Sequence, residues 1–439
     1  MKKAIFSSIL TAVTITSFGM PNDSVHAEDM SQLQTQGQDI VQKDEDNSKY
    51  PIKGVNAGNV FTTEAWLGGY ANTVKKNGDD KGYQEVFDQT QDKMGGDANK
   101  AHKALEKYAD NRWKDNDFKR VKDMGVNTIR LPINYINVTN YDKNMEVGDD
   151  KEIDPTKLQI RQEGIDTIKR FVDKAKKHGL YVILDMHGTP NGQNGEAHST
   201  YAHGGQGTFW DDEHSKEKIK QIWHHLSNEF KDNDAIAGYD ILNEPKGPEG
   251  TKGNQDEINE LQKFYKDTLK TIRDNNDDHI AFLEATWDPQ DMKDPSYFGE
   301  NNKNLVYEYH NYPWGEQAKS HDGIKENFDN KIKGIKDANY DVPSYMGEFN
   351  GHLAGEGDHI APNTNDFKHI IKKMNANNLS WTLWNYDKEG KNQDDSSWGT
   401  VNFTGIETNL NSNDFGKKKE AETNEVYDAV KDSANEHKT

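Results

Sequence analysis

The sequence predicts an α/β fold: a (β/α)8 barrel, built as one domain with long loops at the C-terminal ends of its strands. Three observations predict it. Eight short apolar runs recur along the chain, and amphipathic helical stretches lie between most of them. The connections richest in Gly, Pro and His each follow the end of an apolar run, not its beginning.

The eight strand candidates are Ile52–Ala57, Asn127–Ile133, Tyr181–Met186, Ala237–Leu242, His279–Glu284, Leu305–Tyr309, Pro343–Gly347 and Leu379–Trp384. Each is short and nearly continuous in apolar residues, as strands buried on both faces of a parallel sheet must be. Helices are read from period. Ile165, Ile168, Phe171, Val172 and Ala175 share one helical face, and Gly179 stands where a C-terminal cap belongs. Ile219, Ile222, Trp223, Leu226 and Phe230 repeat the stripe, as do Ile258, Leu261, Phe264, Tyr265, Leu269 and Ile272. Phe367, Ile370, Ile371 and Met374 do so again, and Ile324, Phe328, Ile332 and Ile335 form a sparser version. A long excursion separates the first two strands. Asn191–Asp211, Lys246–Asn254 and Tyr386–Val401 read as loops after the third, fourth and eighth strands. Lys417–Lys438 reads as a charged closing helix.

The chain has 439 residues, with 32% hydrophobic, 29% charged and 10% aromatic residues. That aromatic content argues against general disorder. Residues 1–27 read as a signal peptide: Lys2-Lys3, an uncharged stretch from Ala4 to Met20, then Val25-His26-Ala27 as a small-residue cleavage site. Residues 28–50 read as a flexible leader, and 51–439 as the barrel domain. The absence of Cys excludes disulfides, so a secreted protein of this length must rest on its core. A net charge of −21 disfavours nucleic acid and anionic lipid, but carries no penalty against a neutral sugar polymer. No segment after the signal peptide is apolar enough for a membrane anchor.

The chemistry concentrates at strand ends. Tyr239-Asp-Ile-Leu-Asn243-Glu244-Pro245 ends one buried run on an amide and a carboxylate, and Ser344-Tyr-Met-Gly-Glu348-Phe349 ends another on a second carboxylate. Strands four and seven face each other across a barrel mouth. Two glutamates so placed suit glycosidic cleavage, one protonating the leaving oxygen and one attacking the sugar carbon, and a separation of about 5 Å implies retention. An average Glu is a solvated loop charge; these two follow buried strands directly. Arg130, flanked by apolar residues, needs a buried acceptor, and Glu348 is a suitable one. His187 ends the third strand, His310 and Tyr312 follow the sixth, and Trp384 offers a flat face for a pyranose ring, whereas Trp381 reads as core. His198 and His203 share one loop, but no tight ligand set completes a zinc site, and no nucleotide or hydrolase-elbow motif is present.

Taken together, Arg130, His187, Asn243-Glu244, His310/Tyr312, Glu348 and Trp384 resemble the residue pattern of glycoside hydrolase family 5. Asp185-Met-His187-Gly-Thr-Pro-Asn-Gly-Gln193-Asn194-Gly195, Asn243-Glu244-Pro-Lys-Gly-Pro248 and Gly54-Val-Asn-Ala-Gly58…Glu64-Ala-Trp66 are similar to motifs of its exo-β-1,3-glucanase branch. Absence of Cys and Phe349 after the second glutamate depart from the fungal members. The resemblance implies Glu244 as acid/base and Glu348 as nucleophile. It implies Asn243 on the sugar 2-hydroxyl, Arg130 and Tyr312 orienting Glu348, and Glu64 in the −1 subsite. Related branches act on flavonoid diglycosides and on glycosylated lipids or sterols.

The expectation is a secreted, monomeric, retaining β-glucosidase or glucanase needing no cofactor and no metal. Its substrate would be β-1,3-glucan or a related β-glucoside. An endo-β-1,4-glucanase or mannanase of the same family, and an inactive glycan-binding protein, are the alternatives. Glu244 should have a raised pKa and Glu348 a lowered one.

Overall fold

The computed structural model describes residues 52–74, 82–148, 151–200, 207–245, 254–352, 360–390 and 397–436. The segments read as signal peptide and leader, His203 and nearly all of the Lys246–Asn254 segment lie outside the described residues. Eight parallel strands close into a barrel in sequential order: β1 Lys53–Asn56, β2 Thr128–Asn134, β3 Tyr181–Gly188, β4 Ile236–Asp240, β5 Ile280–Glu284, β6 Leu305–Asn311, β7 Ser344–Phe349 and β8 Ser380–Leu383, with β8 paired back to β1. Every strand candidate is therefore a barrel strand.

The outer layer holds the helices Gln162–Lys177, Glu213–Phe230, Gln255–Arg273, His321–Ala338 and Thr364–Ala376. Their apolar stripes bury Ile165, Ile168, Ile219, Trp223, Leu261, Leu269, Ile324, Phe328, Phe367 and Ile370 in one large core with outward-facing strand residues such as Leu184, Met186 and Met346. Trp381 is fully buried there too. Among its described residues the excursion between β1 and β2 carries the helices Tyr70–Val74, Tyr83–Lys93, Ala98–Arg112 and Asp115–Asp123.

Alternation along the strands builds the barrel interior. One end is filled by a separate apolar cluster of Ile52, Tyr181, Ile183, Ala237, Ile280, Phe282, Val306 and Tyr345. Two residues further along the same faces the side chains turn charged: Ile183 gives way to Asp185 and His187, Phe282 to Glu284, and Val306 to Glu308 and His310. Period two therefore carries each strand from an apolar floor to a polar mouth. Register then sets the neighbours. Asp185 pairs with Asp240, Glu284 with Glu308, and His310 with Glu348.

Register slips between β6 and β7, so that Gly347 is an extra residue on β7. A Cβ there would lie 1.6 Å from Glu308 Oε1, so only glycine fits. Such a bulge re-aims the residue that follows, here Glu348.

The C-terminal segment differs from its reading as one charged helix. Among its described residues Glu425–Ser433 alone is helical, and Lys418–Lys419 and Glu422–Thr423 form short extended pairs. The reason is a buried cation. Lys418 Nζ reaches Asp117 at 2.5 Å and Asp387 at 2.6 Å, which holds the chain extended across the barrel's flank.

Candidate active site

The strand ends meet around a cavity of about 180 Å3 lined by Glu64, Trp66, His187, His198, Asn243, Glu244, Tyr312, Glu348, Trp384 and Trp398. Seven of the nine residues singled out in the sequence line it. The other two, Arg130 and His310, sit beneath it and bind those that do.

Arg130 is fully buried and organises the floor. Its Nη1 donates to Glu348 Oε1 at 2.7 Å and to Asn56 Oδ1 at 3.0 Å. Its Nη2 donates to Asp240 Oδ2 at 2.6 Å and to Asn243 Oδ1 at 2.8 Å. Asp185 lies 3.1 Å away and Glu308 3.4 Å away. Tyr312 donates its hydroxyl to the other oxygen of Glu348 at 2.9 Å. Glu348 thus has both oxygens fixed before any substrate arrives. Asn243 Nδ2 is buried without a partner while its oxygen is tied to Arg130, so the amide keeps a donor in reserve at the cavity wall.

Glu244 is positioned by its backbone. Its φ of 40° lies in the left-handed region, unusual for a residue with a side chain. Its N–H donates to Glu284 Oε2 at 2.6 Å, and its carbonyl accepts from Asn194 Nδ2 at 3.1 Å. Gln193 Nε2 bridges the carbonyls of His187 and Asn243, both at 2.9 Å, tying the end of β3 to the turn after β4. The Gln-Asn pair is thereby a clamp on the strand end that presents Glu244.

Both side-chain oxygens of Glu244 face histidines. His310 Nδ1 lies 2.9 Å from Oε1 and His198 Nε2 lies 2.7 Å from Oε2. This overturns the expectation of a raised pKa. Burial pushes the carboxyl up, but the two imidazoles more than offset it and hold it well below the ordinary Glu value. Burial also pushes His310 down, and the surrounding Glu284, Glu348, Glu244 and Glu308 carboxylates raise it well above the usual range. His187 differs. Burial takes it down to about 3, so it is neutral, 2.7 Å from Asp185 Oδ2 and stacked on Trp384 with ring centroids 5.5 Å apart.

Aromatic rings wall the cavity. Trp66 meets Trp398 edge-on with centroids 5.0 Å apart, and Tyr312 lies 6.0 Å from Trp398. Trp66 Nε1 donates to Glu64 Oε2 at 2.8 Å, which orients that carboxylate. Flat apolar faces beside fixed acceptors and donors suit a sugar ring, which offers C–H faces and an equator of hydroxyls.

Sequence reasoning missed several residues here, among them His198, Asp240, Glu284, Glu308 and Trp398. His198 was weighed only as a weak metal ligand, and Glu284 and Glu308 were absorbed into their strand candidates. A buried carboxylate inside an apolar run was the available signal for both glutamates. Glu244, His310 and Glu348, and likewise Glu284, Glu308 and His310, are spaced closely enough to hold a cation. Most of their oxygens already meet Arg130, Tyr312, the Glu244 N–H or the imidazoles, and Glu308 Oε2 is buried without a partner.

Residues 87–390 match the family model described as cellulase (glycosyl hydrolase family 5). Among curated proteins, the chain is 26% identical over 386 residues to a β-xylosidase of Phanerodontia chrysosporium, covering 82% of this chain and 72% of that protein. It is 26% identical over 316 residues to a glucan 1,3-β-glucosidase of Schwanniomyces occidentalis (70% and 65%), and 28% identical over 311 residues to one of Candida oleophila (67% and 64%). The match spans just under two thirds of the length of these two glucosidases. Among solved structures, a rutinosidase from Aspergillus niger superposes with a TM-score of 0.60 at 14% identity, covering 80% of this chain and 95% of that one. An endogalactoceramidase does so with a TM-score of 0.54 at 16% identity, covering 89% and 82%. These likenesses concern the fold.

Proposed function

The chain belongs to glycosyl hydrolase family 5, whose model it matches over more than half its length, and is a glycoside hydrolase; on that premise we propose that it is a secreted, retaining enzyme acting on β-glucosidic bonds. Its substrate is β-1,3-glucan or a related β-glucoside. One observation carries this reading: a carboxylate oxygen of Glu244 and one of Glu348 at the cavity wall, and a ring nitrogen of His310 beneath it, all lie within 4.8 Å of one another. Carboxyl groups about 5–5.5 Å apart suit a covalent intermediate, whereas inversion needs roughly 6.5–9.5 Å to admit water.

Glu348 attacks the anomeric carbon while Glu244 gives its proton to the departing oxygen. Glu244 then takes a proton from water, whose oxygen replaces Glu348 on the sugar. The relatives named as glucan 1,3-β-glucosidases support the substrate class. The cavity is smaller than the ~300–1,000 Å3 that holds a drug-sized ligand, which suits one terminal sugar and removal of units from a chain end. The apolar and small residues of 4–20 support export.

The purified protein is incubated with laminarin and with carboxymethylcellulose. Release of single glucose units from laminarin is expected; mixed oligomers from carboxymethylcellulose would instead establish the endo-acting alternative. Glu348→Ala should lower turnover by at least about 10⁴-fold, the scale of losing a covalent nucleophile, with binding retained. Glu244→Ala should recover on dinitrophenyl glucosides, whose leaving group needs no acid.

A further inference from the structure

We propose that His198 and Glu244 act as one proton-sharing pair, so that the pair, and not the glutamate alone, supplies the proton to the leaving group and sets the alkaline limit of activity. This rests on reading Glu244 as the general acid.

The geometry begins with the 2.7 Å contact between His198 Nε2 and Glu244 Oε2. Asn194 fixes the environment of that nitrogen. Its Oδ1 accepts from the Glu196 N–H at 2.9 Å, so its Nδ2 must be the group that donates to the Glu244 carbonyl and lies 2.9 Å from His198 Nε2. Two arrangements of one proton then fit the same heavy atoms. In one, a Glu244 carboxylic acid donates to the Nε2 lone pair of a neutral His198, while Asn194 Nδ2 donates to the Glu244 carbonyl. In the other, a protonated His198 donates to the Glu244 carboxylate. They carry the same net charge and differ only by a proton moving along one short hydrogen bond, so the two groups titrate as a unit.

The second oxygen of Glu244 is committed elsewhere. Oε1 faces His310 Nδ1 at 2.9 Å, and that imidazole is almost wholly buried (1% exposed) among Glu284, Glu308 and Glu348. His198 lines the cavity and is 26% exposed. A leaving-group oxygen entering from the cavity therefore meets Oε2, on the His198 side. His198 faces Glu244 and Asn194 directly and the His187 ring with centroids 6.1 Å apart, and it feels the charges of Glu64 and Glu348. Burial pushes the His198 imidazole down, but Glu244 beside it more than offsets this and raises it to about 10.

The step balances simply. The bond from the anomeric carbon to the leaving oxygen breaks, Glu348 bonds to that carbon, and the pair's single proton goes to the leaving oxygen. Glu244 remains as carboxylate beside neutral His198. In the second half, water loses a proton back to the pair as its oxygen bonds to carbon and Glu348 departs. An isolated carboxyl would lose its proton near its own pKa. The pair keeps one until the imidazolium itself deprotonates.

The test is the pH profile of kcat/KM for the wild type and for His198→Asn, with His198→Gln as a second variant, on an alkyl β-glucoside and on a dinitrophenyl β-glucoside. With the alkyl glucoside the alkaline limb should move down by at least about two pH units in the variants, as the carboxyl alone must then hold the proton. With the dinitrophenyl glucoside it should stay in place. An unmoved limb with the alkyl substrate, or equal movement with both, overturns the proposal. Because a variant can fail to fold, the wild type is also followed by nitrogen NMR of its histidines. The signal lost in the His198 variants should remain imidazolium above pH 8, and titration near 6.5 overturns the pairing. Failure of the acid assignment reads differently: Glu244→Ala would then show no relative recovery on the dinitrophenyl substrate.

Discussion

Two arginines, Arg112 and Arg130, are wholly buried, and their surroundings differ in one respect that separates scaffold from site. Arg112 makes a two-pronged contact with Asp387 at 2.9 and 3.0 Å and lies over the Phe403 ring. Lys418 joins the same Asp387 and also Asp117, whose oxygen accepts from the Tyr386 hydroxyl at 3.0 Å. Two cations meet two carboxylates. Arg130 meets Asp185, Asp240, Glu308 and Glu348, with His310 as the second cation beside Glu308 and Glu348. Where charge balances, burial pushes Asp117 up, but Lys418 outweighs it and holds the carboxyl below its usual value. Excess carboxylate cannot all ionise. Burial and mutual repulsion push Asp185 to about 8 and Asp240 and Glu308 to about 7 despite Arg130. Asp185 Oδ1, Asp240 Oδ1 and Glu308 Oε2 are correspondingly buried without partners. A fold gains nothing from such crowding, and strongly shifted groups in a cleft are the mark of chemistry.

Substituting each arginine tests that contrast most forcefully. Arg130→Met should cost on the order of 10²–10³-fold in kcat/KM, the scale of losing a preorganised donor at the reacting charge. Steady-state kinetics on an aryl β-glucoside reads this. Arg112→Met should lower stability by about 1–3 kcal/mol, because Asp387 loses two hydrogen bonds and keeps only Lys418, while folded molecules keep their kcat/KM. Urea unfolding measures the first and active-site-normalised kinetics the second. If Arg112→Met depresses kcat/KM as far as Arg130→Met does, the division between the two networks is wrong.

The next effect is smaller and concerns Glu284, which accepts the Glu244 N–H at 2.6 Å and sits 3.4 Å from His310. Burial raises its pKa well above the ordinary Glu range and so favours the uncharged form, while His310 beside it opposes the shift. Glu284→Gln preserves that state and should retain most activity. Glu284→Ala strands a buried N–H at a backbone position with positive φ, at about 1–3 kcal/mol, and should lower kcat by roughly ten-fold as Glu244 loses its fixed position. Equal losses in both variants would mean that Glu284 carries a charge that the Arg130 region needs.

The same division marks what could be read in advance. The eight strands were legible because a doubly buried parallel strand is a run of apolar residues, and its end is marked by the first polar side chain. Glu348 follows that rule directly, His187, Asn243, Glu244, His310, Tyr312 and Trp384 lie at or just past strand ends, and Arg130 lies inside its strand, marked instead by its apolar flanks. Glu284 and Glu308 obey the rule equally but were absorbed into their strands; what singles them out is their pairing with each other across β5 and β6, a non-local fact. His198 is bound to a residue in another loop, so its role had no local signature. The depressed pKa of Glu244 follows from the same omission, since burial was visible and the second histidine was not. Lys418 failed for the opposite reason. Its surroundings in sequence are charged and helix-prone, and only the distant Asp117 and Asp387 explain an extended, buried lysine.

The smallest effect is in stability, and it gives the two networks opposite signs. Asp240 and Asp185 have folded-state values near 7 and 8, against about 3.9 in an unfolded chain. Between those limits the folded protein binds protons that the unfolded chain has released, so their contribution to stability declines as pH rises from about 4 to 8. Asp117 is depressed, so its contribution is present above the unfolded value and disappears as pH falls through the folded one. Asp240→Asn should therefore flatten the decline from pH 5 to 7 by at most about 1.4 kcal/mol per pH unit, the limit for one proton, and leave the acid side unchanged. Asp117→Asn should lower stability at neutral pH and remove part of the acid-side loss. Urea midpoints across pH 3 to 9 separate the cases. A steeper alkaline decline in Asp240→Asn would show that Asp240 is ionised beside Arg130, and that the excess protons of the site reside on Asp185, Glu284 and Glu308 instead.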